Sequence, residues 1–374
     1  MNTYFDNAAT TKVDDEVLSE MLPYFNILYG NPSSNNTCGR KIRDGLDNSR
    51  LEVAKFLNCT PNEIIFTSGA TESNNLVLKS CSDICLDDNE EPFHFIFSNI
   101  EHKSVLNLKD YLEHKGHEVD LIETLPSGII NLEDLENKIQ ENTILISCIW
   151  INNETGIIQP IEDISLICLS NSINFHVDAT QAFGKIPIDL TNTKIDFLSL
   201  SAHKLHGPKG IGALYKNKNI DLRCQIIGGS QEEGFRSGTE NVSGIIGLGK
   251  ATEIASEHLI ENTRYFERLE KYLFKMLNSY NIDYIVNGDV ENKAPWINNI
   301  AILNSDAETL VEEMSNYCFS KSSACSKGNY PSHVLQAMSV DDDLIEKSIR
   351  LSFSKYTTFE QIDSFCKELS KIVN

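Results

Sequence analysis

Hydrophobic residues in the first two thirds of the chain form short continuous runs, and the stretches between these runs show helical spacing. The runs that we interpret as buried strands cover residues 63–69, 93–99, 143–152, 173–179 and 195–202. The first run ends in a Ser-Gly turn, and the helix that follows it covers residues 70–80. Continuous apolar strands that alternate with helices are typical of a parallel sheet covered on both faces. We therefore predict an α/β domain, in which ligands bind beyond the carboxyl ends of the strands.

The pattern changes at Leu259, where the apolar residues adopt a sustained helical spacing. One face of this amphipathic helix would carry Phe266, Leu269, Leu273, Met276, Leu277 and Tyr280. Two short strand-like runs, YIVNG and NNIAILN, and a last helix in TFEQIDSFCKELSKIV follow it. We predict a large domain at residues 14–257, and a smaller α+β domain built from residues 1–13 and 258–374.

Charge and cysteine content limit the classes of function. The 374 residues include 32 basic and 54 acidic side chains, so the net charge is −22. A field of one sign repels phosphate backbones and anionic lipid surfaces, which argues against a nucleic-acid or membrane function. No apolar run is long enough to span a bilayer, and the first residues lack the segments of a signal peptide. The ten cysteines include no C-x-x-C pair, so we predict no zinc ribbon or disulfide framework and expect a reducing cytoplasm.

A lysine in an unusual setting is the first candidate for chemistry. In FLSLSAHKLHGPKGIGALY an apolar run leads into Ser201, His203 and Lys204, and the stretch contains no acidic residue although the chain is acidic. Burial of an ammonium group is costly and lowers its pKa, so such an amine can act as a nucleophile toward a carbonyl compound. Lys209, in the GPKG turn, is interpreted as an exposed turn residue.

Two other segments would also lie at the carboxyl ends of strands. FTSGATES places Ser68 and Gly69 in a turn and Ala70 and Thr71 at a helix start, where free N–H groups bind phosphate; an ordinary helix cap is the alternative. FHVDATQAFGK places Asp178 at a strand end, where a carboxylate needs a cationic partner. That partner is either a basic side chain or the protonated pyridine nitrogen of a pyridoxal cofactor. The lysine described above ends the next predicted strand, so both groups could flank one ring.

These segments belong to a longer series of motifs that resembles a known family. The series is YFDNAATT, YGNPSS, EIIFTSGATESNN, IEHKSV, NNETG, HVDATQAFGKIPID, SAHKLHGPKGIGALY, RSGTEN, SSACSKG and IRLSFSKYTT. In order and spacing it resembles the pyridoxal-phosphate enzymes of fold type I, class V aminotransferases, and among them the NifS/IscS-like cysteine desulfurases. The resemblance covers the chain almost from end to end. It implies a mostly parallel seven-stranded sheet covered by helices, a smaller α+β domain and a homodimer.

The resemblance implies how pyridoxal 5′-phosphate would be bound. Lys204 would hold the cofactor covalently, Asp178 would pair with the pyridine nitrogen, and Gln181 would bind the ring hydroxyl. His102, in IEHKSV, would stack on the ring and assist proton transfer. The phosphate would be held by Ala70, Thr71, Ser201 and His203, and by Thr239 of RSGTEN from the neighbouring subunit.

The substrate would be held by two further residues. The resemblance implies that Asn153 contacts the cofactor and the substrate, and that Arg350 binds the carboxylate of the substrate. A guanidinium fork matches a carboxylate better than an ammonium group does. The spacing alone leaves open that Arg350 forms a surface salt bridge at the start of a strand.

The last candidate is Cys325, in CFSKSSACSKG. Ser, Gly and Lys are typical of a solvent-reachable loop, here about residues 319–330, and Lys321 and Lys327 could stabilise the reactive thiolate. Cys325 matches the persulfide cysteine of the family, whereas Cys318 is interpreted as a core residue. No stable metal site is predicted, although Cys325 could transiently bind a nascent iron–sulfur cluster.

The implied reaction converts L-cysteine to L-alanine and leaves the sulfur on Cys325. The persulfide would be passed to an acceptor protein, such as an iron–sulfur scaffold or a tRNA-thiolation protein. A selenocysteine lyase or another class V enzyme would share Lys204, Asp178 and His102. Such an enzyme is the alternative if the protein is an enzyme but not a cysteine desulfurase. A platform that binds the cofactor and sulfur acceptors, with little turnover, is the alternative from another class.

Overall fold

The computed structural model describes residues 3–87, 92–321 and 331–374. The strands are β1 Thr3–Tyr4, β2 Ile64–Thr67, β3 His94–Ser98, β4 Glu118–Ile122, β5 Thr143–Ile149, β6 Asn174–Asp178, β7 Phe197–Ser201, β8 Gly212–Lys216, β9 Tyr284–Val286, β10 Ile297–Ile302, β11 Tyr317–Cys318, β12 Ser320–Lys321 and β13 Ser348–Ser352. The helices are α1 Asp15–Met21, α2 Pro23–Asn26, α3 Thr37–Leu57, α4 Ala70–Asp87, α5 Lys103–Leu106, α6 Leu108–His114, α7 Leu132–Lys138, α8 Ile161–Asn171, α9 Val242–Glu257, α10 Leu259–Ser279, α11 Ala307–Glu313, α12 His333–Ala337, α13 Asp342–Glu346 and α14 Phe359–Val373. Short 3₁₀ helices cover Pro61–Glu63, Ala202–Lys204 and Glu232–Gly234.

A seven-stranded sheet forms the centre of the molecule. Its strand order is β2-β8-β7-β6-β5-β3-β4. Only β8 runs antiparallel to its neighbours, β2 and β7, so the prediction of a mostly parallel seven-stranded sheet is confirmed. The hydrophobic pattern misses β4 and β8. Strand β4 is an edge strand in which buried and exposed positions are mixed, and β8 directly follows a turn rich in glycine.

Both faces of this sheet are covered, as its continuous apolar strands predict. In β3, Ile96 packs into one hydrophobic cluster, whereas its neighbours Phe95 and Phe97 pack into another. Successive side chains of a strand point to opposite faces, so the two clusters lie on the two sides of the sheet. Helix α3 contributes Val53 to the first cluster, and α4 contributes Leu76 to the second.

The C-terminal part forms a four-stranded antiparallel sheet of order β12-β13-β10-β9. Helix α10 begins at Leu259, as predicted, and four of the six residues assigned to its apolar face are fully buried, whereas Met276 and Tyr280 are half-buried. The first residues of the chain join this part, because β1 pairs with β11 and Asp6 bridges to Ser352. The boundaries of the two domains stay a prediction. Among the described helices, none is long and apolar enough to cross a membrane.

Candidate active site

A cavity of about 550 Å³ lies at the carboxyl ends of the central strands. Ile149 ends β5, Asp178 ends β6 and Ser201 ends β7, and all three line the cavity. Apart from Thr239 and Cys325, every site residue that the sequence predicts lines it: Ala70, Thr71, His102, Asn153, Asp178, Gln181, Ser201, His203, Lys204 and Arg350. The fold therefore brings together groups from separate parts of the chain, as expected for the carboxyl edge of such a sheet.

One wall of the cavity is an anion cradle at the start of α4. Gly69 has φ +152°, a backbone conformation that residues other than glycine rarely adopt, and it directly precedes Ala70, the first residue of α4. The first N–H groups of a helix have no partner within the helix, so they are available to phosphate oxygens. Ser201 closes the cradle from β7, because a Cβ atom on Gly69 would lie 3.6 Å from its hydroxyl oxygen.

His203 contributes a neutral imidazole to the same side of the cavity. Its Nδ1 lies 3.1 Å from the hydroxyl oxygen of Thr10. Burial, together with the nearby ammonium groups of Lys204 and Lys209, lowers the pKa of His203 to about 4. The ring can therefore exchange hydrogen bonds with an anion at neutral pH without carrying a charge. Lys209 is exposed, as predicted, and also lines the cavity.

Asp178 is a buried carboxylate without a basic partner among the described residues. Its side chain is 2% exposed, and no ion pair involves it within the described ranges. Its Oδ2 accepts a hydrogen bond of 2.9 Å from Asn74, and its Oδ1 accepts one of 3.0 Å from the backbone N–H of Thr180. A buried carboxylate of this kind requires a cationic partner. Of the two partners that the sequence allowed, a basic side chain is absent from the described residues, which leaves the pyridine nitrogen.

The amine of Lys204 lies in the 3₁₀ turn that follows β7, rather than in the strand itself. Its Nζ donates to the carbonyl oxygens of Ala8 at 2.6 Å and Ala9 at 2.9 Å. Gln181 shares this anchor, because its Nε2 donates to the carbonyl oxygen of Ala8 at 2.9 Å. The sequence motif YFDNAATT contains these alanines, but nothing in its residue types indicated that their backbone would hold the lysine.

A second lysine stands behind this pair. Lys185 Nζ donates to Gln181 Oε1 at 3.1 Å, and it lines a small cavity together with Lys204. Burial, together with the charge of Lys204, lowers the pKa of Lys185 to about 7. Two adjacent ammonium groups disfavour each other, which is a recognised way of keeping an amine nucleophilic.

His102 caps the short helix α5 from the cavity wall. Its Nδ1 accepts from the backbone N–H of Ser104 at 3.2 Å and lies 2.8 Å from the Ser104 hydroxyl. The preceding residue, Glu101, is fully buried, and burial together with the charge of Asp178 raises its pKa to about 8. Sequence reasoning missed Glu101 and Ser104, because residue type alone does not show whether a polar residue in a turn is buried.

Arg350 lies in the middle of β13 and is 1% exposed. Its Nη1 donates to the carbonyl oxygen of Asn153 at 2.8 Å, and its Nη2 donates to Asp6 at 2.6 Å and to the Ser320 hydroxyl at 3.3 Å. Arg350 thus forms the ion pair that the sequence analysis allowed as an alternative, but the pair with Asp6 is buried rather than at the surface. Among the described residues, Nε of Arg350 has no hydrogen-bond partner.

The remaining predicted residues lie elsewhere. Thr239 is exposed and does not line the cavity, and Cys325 and Lys327 lie outside the described residues. Lys321 forms an ion pair of 3.1 Å with Glu308. Cys318 was interpreted as a core residue, but it is half-buried, because it lies in the two-residue strand β11. No cluster of His, Cys, Asp and Glu suited to a metal ion occurs within the described ranges.

The residues of the cavity fit pyridoxal phosphate, the cofactor that the sequence motifs imply. The cradle at Gly69 with Ser201 and His203 suits a phosphate, and the unpaired carboxylate of Asp178 suits a protonated pyridine nitrogen. The hydroxyl of Thr180, also on the cavity wall, is buried without a partner among the described residues. Orphaned polar atoms of this kind mark a place where a polar ligand is accommodated.

The fold and the site define a class of pyridoxal-phosphate enzymes. The family model for class-V aminotransferases matches residues 3–365. The chain is 41% identical over 372 residues to the cysteine desulfurase IscS of Neisseria gonorrhoeae (strain ATCC 700825 / FA 1090), with 98% of this chain and 91% of that protein covered. The chain therefore belongs to the class-V aminotransferase family, and within it to the cysteine desulfurases.

Solved structures support the same assignment. A NifS-like protein superposes with a TM-score of 0.93 at 39% identity, and the alignment covers 100% of this chain and 99% of that chain. A second structure, SspA in complex with cysteine, gives a TM-score of 0.85 at 36% identity over 95% of this chain and 100% of that chain. Both likenesses extend across the seven-stranded sheet and the C-terminal part alike.

Proposed function

We propose that the protein converts L-cysteine to L-alanine and holds the removed sulfur as a persulfide on Cys325, with pyridoxal phosphate as its cofactor. The observation that carries this proposal is the pair formed by Asp178 and Lys204. A buried carboxylate without a basic partner among the described residues and a lysine amine line one cavity, and an anion cradle forms another part of its wall. The desulfurase relatives and the cysteine complex of a structural neighbour support the substrate.

The chemistry divides between the cofactor and the chain. When bound, pyridoxal phosphate supplies an electron-poor ring that accepts the electron pair left at the substrate Cα. Asp178 would pair with the protonated ring nitrogen, and Gln181 would bind the ring hydroxyl. Lys204 would hold the cofactor, and its amine, once free, would take the Cα proton of the substrate as a general base.

The substrate is oriented by Arg350 and Asn153. Arg350 is held from two sides by Asp6 and by the Asn153 carbonyl, so its guanidinium has a fixed direction before the substrate arrives. A guanidinium with a free N–H group is well suited to bind the α-carboxylate of cysteine. Preorganisation of this kind lowers the entropic cost of placing the substrate sulfur.

The sulfur transfer is balanced without an external oxidant. The thiolate of Cys325 attacks the substrate sulfur, so an S–S bond forms while the Cβ–S bond breaks. The electron pair of the broken bond stays on Cβ, which is then protonated and becomes the methyl group of alanine. Sulfur is oxidised by the carbon that is reduced. Lys321 already has a carboxylate partner in Glu308. Lys327, two positions after Cys325 in the sequence, is therefore proposed as the basic residue that stabilises the thiolate.

The wider assignments of the motifs are proposed with this function. Thr239 would bind the phosphate held by a second copy of the chain, and its exposed position outside the cavity agrees with a role across a homodimer interface. The persulfide would pass to an acceptor protein of iron–sulfur assembly or tRNA thiolation in the cytoplasm, with Cys325 as a transient ligand of a nascent cluster.

Mass spectrometry of the purified protein after addition of L-cysteine tests this function. A mass gain of one sulfur atom should map to Cys325, and alanine should form. Cys325→Ser should retain the visible absorption of the bound cofactor but form neither product, whereas Lys204→Ala should lose that absorption. Cys38→Ser, which changes an exposed cysteine, is the matched control and should behave as the wild type.

Two results would count against the proposal. Normal alanine formation by Cys325→Ser would point to a lyase, for which selenocysteine would then be compared with cysteine. A wild-type protein that binds the cofactor but forms no alanine would point to a platform for sulfur-acceptor proteins.

A further inference from the structure

A continuous chain of hydrogen bonds joins Asp178 to His102 through two polar residues that carry no role in the proposed reaction. Asn74 Nδ2 donates to Asp178 Oδ2 at 2.9 Å and to the Ser104 hydroxyl oxygen at 2.8 Å. The Ser104 hydroxyl lies 2.8 Å from His102 Nδ1. We call these four residues the 178–102 relay. Its two ends line the cavity, and Asn74 is completely buried.

The direction of each hydrogen bond in the relay follows from its neighbour. The carboxylate of Asp178 accepts only, so the amide of Asn74 must present Nδ2 to it. The other Nδ2 hydrogen then points to the oxygen of Ser104, which must accept it. The Ser104 hydroxyl proton is consequently directed to His102 Nδ1.

A second donor reinforces this direction at the histidine. The backbone N–H of Ser104 also points to His102 Nδ1, at 3.2 Å. A backbone N–H can only donate, so a proton on Nδ1 would face another proton. Nδ1 is thus an acceptor in the resting protein, and a neutral ring must carry its proton on Nε2.

The relay has a cost that a purely structural contact would avoid. Among the described residues, Asn74 Oδ1 is buried without any hydrogen-bond partner. An unpaired buried carbonyl oxygen is unfavourable, and an apolar residue at this position would remove the penalty. An orphaned group of this kind is explained when the same side chain performs a task elsewhere, here through Nδ2.

We propose that Asn74 and Ser104 are positioning residues that hold His102 as the Nε2–H tautomer, so that this ring donates a hydrogen bond in the cavity and does not act as a general base there. The proposal rests on the proposed function for its chemical meaning. It assigns the proton abstraction at Cα to Lys204 alone and leaves His102 to orient groups above the cofactor. The relay also makes the orientation of His102 depend on the same carboxylate that pairs with the pyridine nitrogen.

Nuclear magnetic resonance of protein labelled with ¹⁵N-histidine tests the tautomer directly. The nine histidines give two-bond ¹H–¹⁵N patterns that distinguish the tautomers, and the spectrum of His102→Asn assigns the signal of His102. With pyridoxal phosphate bound and at neutral pH, the wild type should show an unprotonated Nδ1 and a protonated Nε2. A protonated Nδ1 would overturn the proposal, whatever the activity of the enzyme.

Variants of the two intermediate residues test the relay. Asn74→Asp should draw the Ser104 hydroxyl proton toward itself, and Ser104→Ala removes that proton. In each variant the preference for the Nε2–H tautomer should fall by about tenfold, as expected for the loss of one hydrogen bond. Ser104→Thr keeps the hydroxyl and should restore the wild-type pattern.

Asn75→Asp is the matched control. It makes the same change one residue further along α4, where the side chain donates, among the described residues, only to the carbonyl oxygen of Thr71 in its own helix. An equal change in the His102 signal in this control would show a general electrostatic effect and would contradict the relay. Because these spectra do not require turnover, a failure of the relay is distinguishable from a failure of the desulfurase function.

Discussion

At the scale of single residues, Arg350 is the buried cation that we propose binds the carboxylate of the substrate. Its guanidinium is almost completely buried and is shared between Asp6, Ser320 and the carbonyl of Asn153. Removal of one partner from a buried ion pair is strongly destabilising, because it leaves an unpaired charge. Loss of either Arg350 or Asp6 alone is therefore expected to destabilise the fold.

Arg350→Lys tests the importance of the guanidinium fork. The ammonium group keeps the charge near Asp6, but it cannot also donate to Asn153 and to a substrate carboxylate in a fixed plane. Loss of one charge-assisted hydrogen bond corresponds to roughly a tenfold to hundredfold weaker interaction. Steady-state alanine formation should show KM raised by about this factor, with kcat changed much less.

The stability of the folded protein serves as the control for this variant. Urea unfolding should show a loss smaller than that of Arg350→Ala, since the buried charge of Asp6 keeps a partner. A KM equal to that of the wild type would remove Arg350 from substrate binding.

At the scale of secondary structure elements, the position of the anion cradle depends on how closely the turn at Gly69 approaches strand β8. A Cβ atom added to Gly212 in β8 would lie 2.4 Å from the Leu200 carbonyl oxygen and 2.7 Å from Cα of Gly69. Both contacts are with backbone atoms, which cannot rotate away. The turn before α4 can therefore sit against β8 only because β8 begins with glycine.

Gly212→Ala should push the cradle away from β8. Overpacking of this kind costs about 1–3 kcal/mol of stability, and the displaced N–H groups should bind phosphate more weakly. Titration of the apoprotein with pyridoxal phosphate, followed by visible absorption, should give a higher dissociation constant.

Gly116→Ala is a suitable comparison for this variant. Gly116 has φ +95° and no atom within 4 Å of an added Cβ, so the change strains the backbone without pushing on the cradle. It should lower stability by about 1 kcal/mol and leave cofactor affinity unchanged. Equal cofactor affinity in Gly212→Ala and the wild type would contradict the role given to the close approach.

At the scale of the whole molecule, the described surface leaves large apolar side chains exposed, one of them near RSGTEN, the motif whose Thr239 is proposed to reach a second copy of the chain. Ile227, between β8 and the RSGTEN motif, is 91% exposed. Ile27 and Tyr29 are exposed as well, and Tyr29 is the first residue of the YGNPSS motif, residues 29–34. A protein with a net charge of −22 needs such apolar contacts to associate with its own copy against electrostatic repulsion.

Ile227→Asp should therefore shift the protein from dimer to monomer in analytical ultracentrifugation. Cofactor affinity should fall with it, because Thr239 of the second copy would no longer reach the phosphate. Ile260→Asp is the matched control, since Ile260 is also exposed, at 68%, but lies on α10. Identical sedimentation of both variants and the wild type would place the dimer interface elsewhere or show that the protein is monomeric.

Much of the site was predictable because polar residues interrupt apolar runs at the ends of strands. Asp178 and Lys204 stand out in this way, and the glycine before Thr71 marks the cradle. Asn74, by contrast, has no such signal, since it differs from Asn75 only in the direction of its side chain. Asp6 was missed for a similar reason, because its partner, Arg350, lies at the other end of the chain.

By itself, the sequence determined the alternation of strands and helices, the burial of both faces of the sheet and the chemical groups that gather at its carboxyl edge. These properties follow from residue type and periodicity, which are local. Only the tertiary structure decided that Arg350 is buried against Asp6, that β8 runs antiparallel and that Asn74 joins Asp178 to Ser104. Those features depend on distances of about 3 Å between residues far apart in the chain, and such distances arise only when the elements pack.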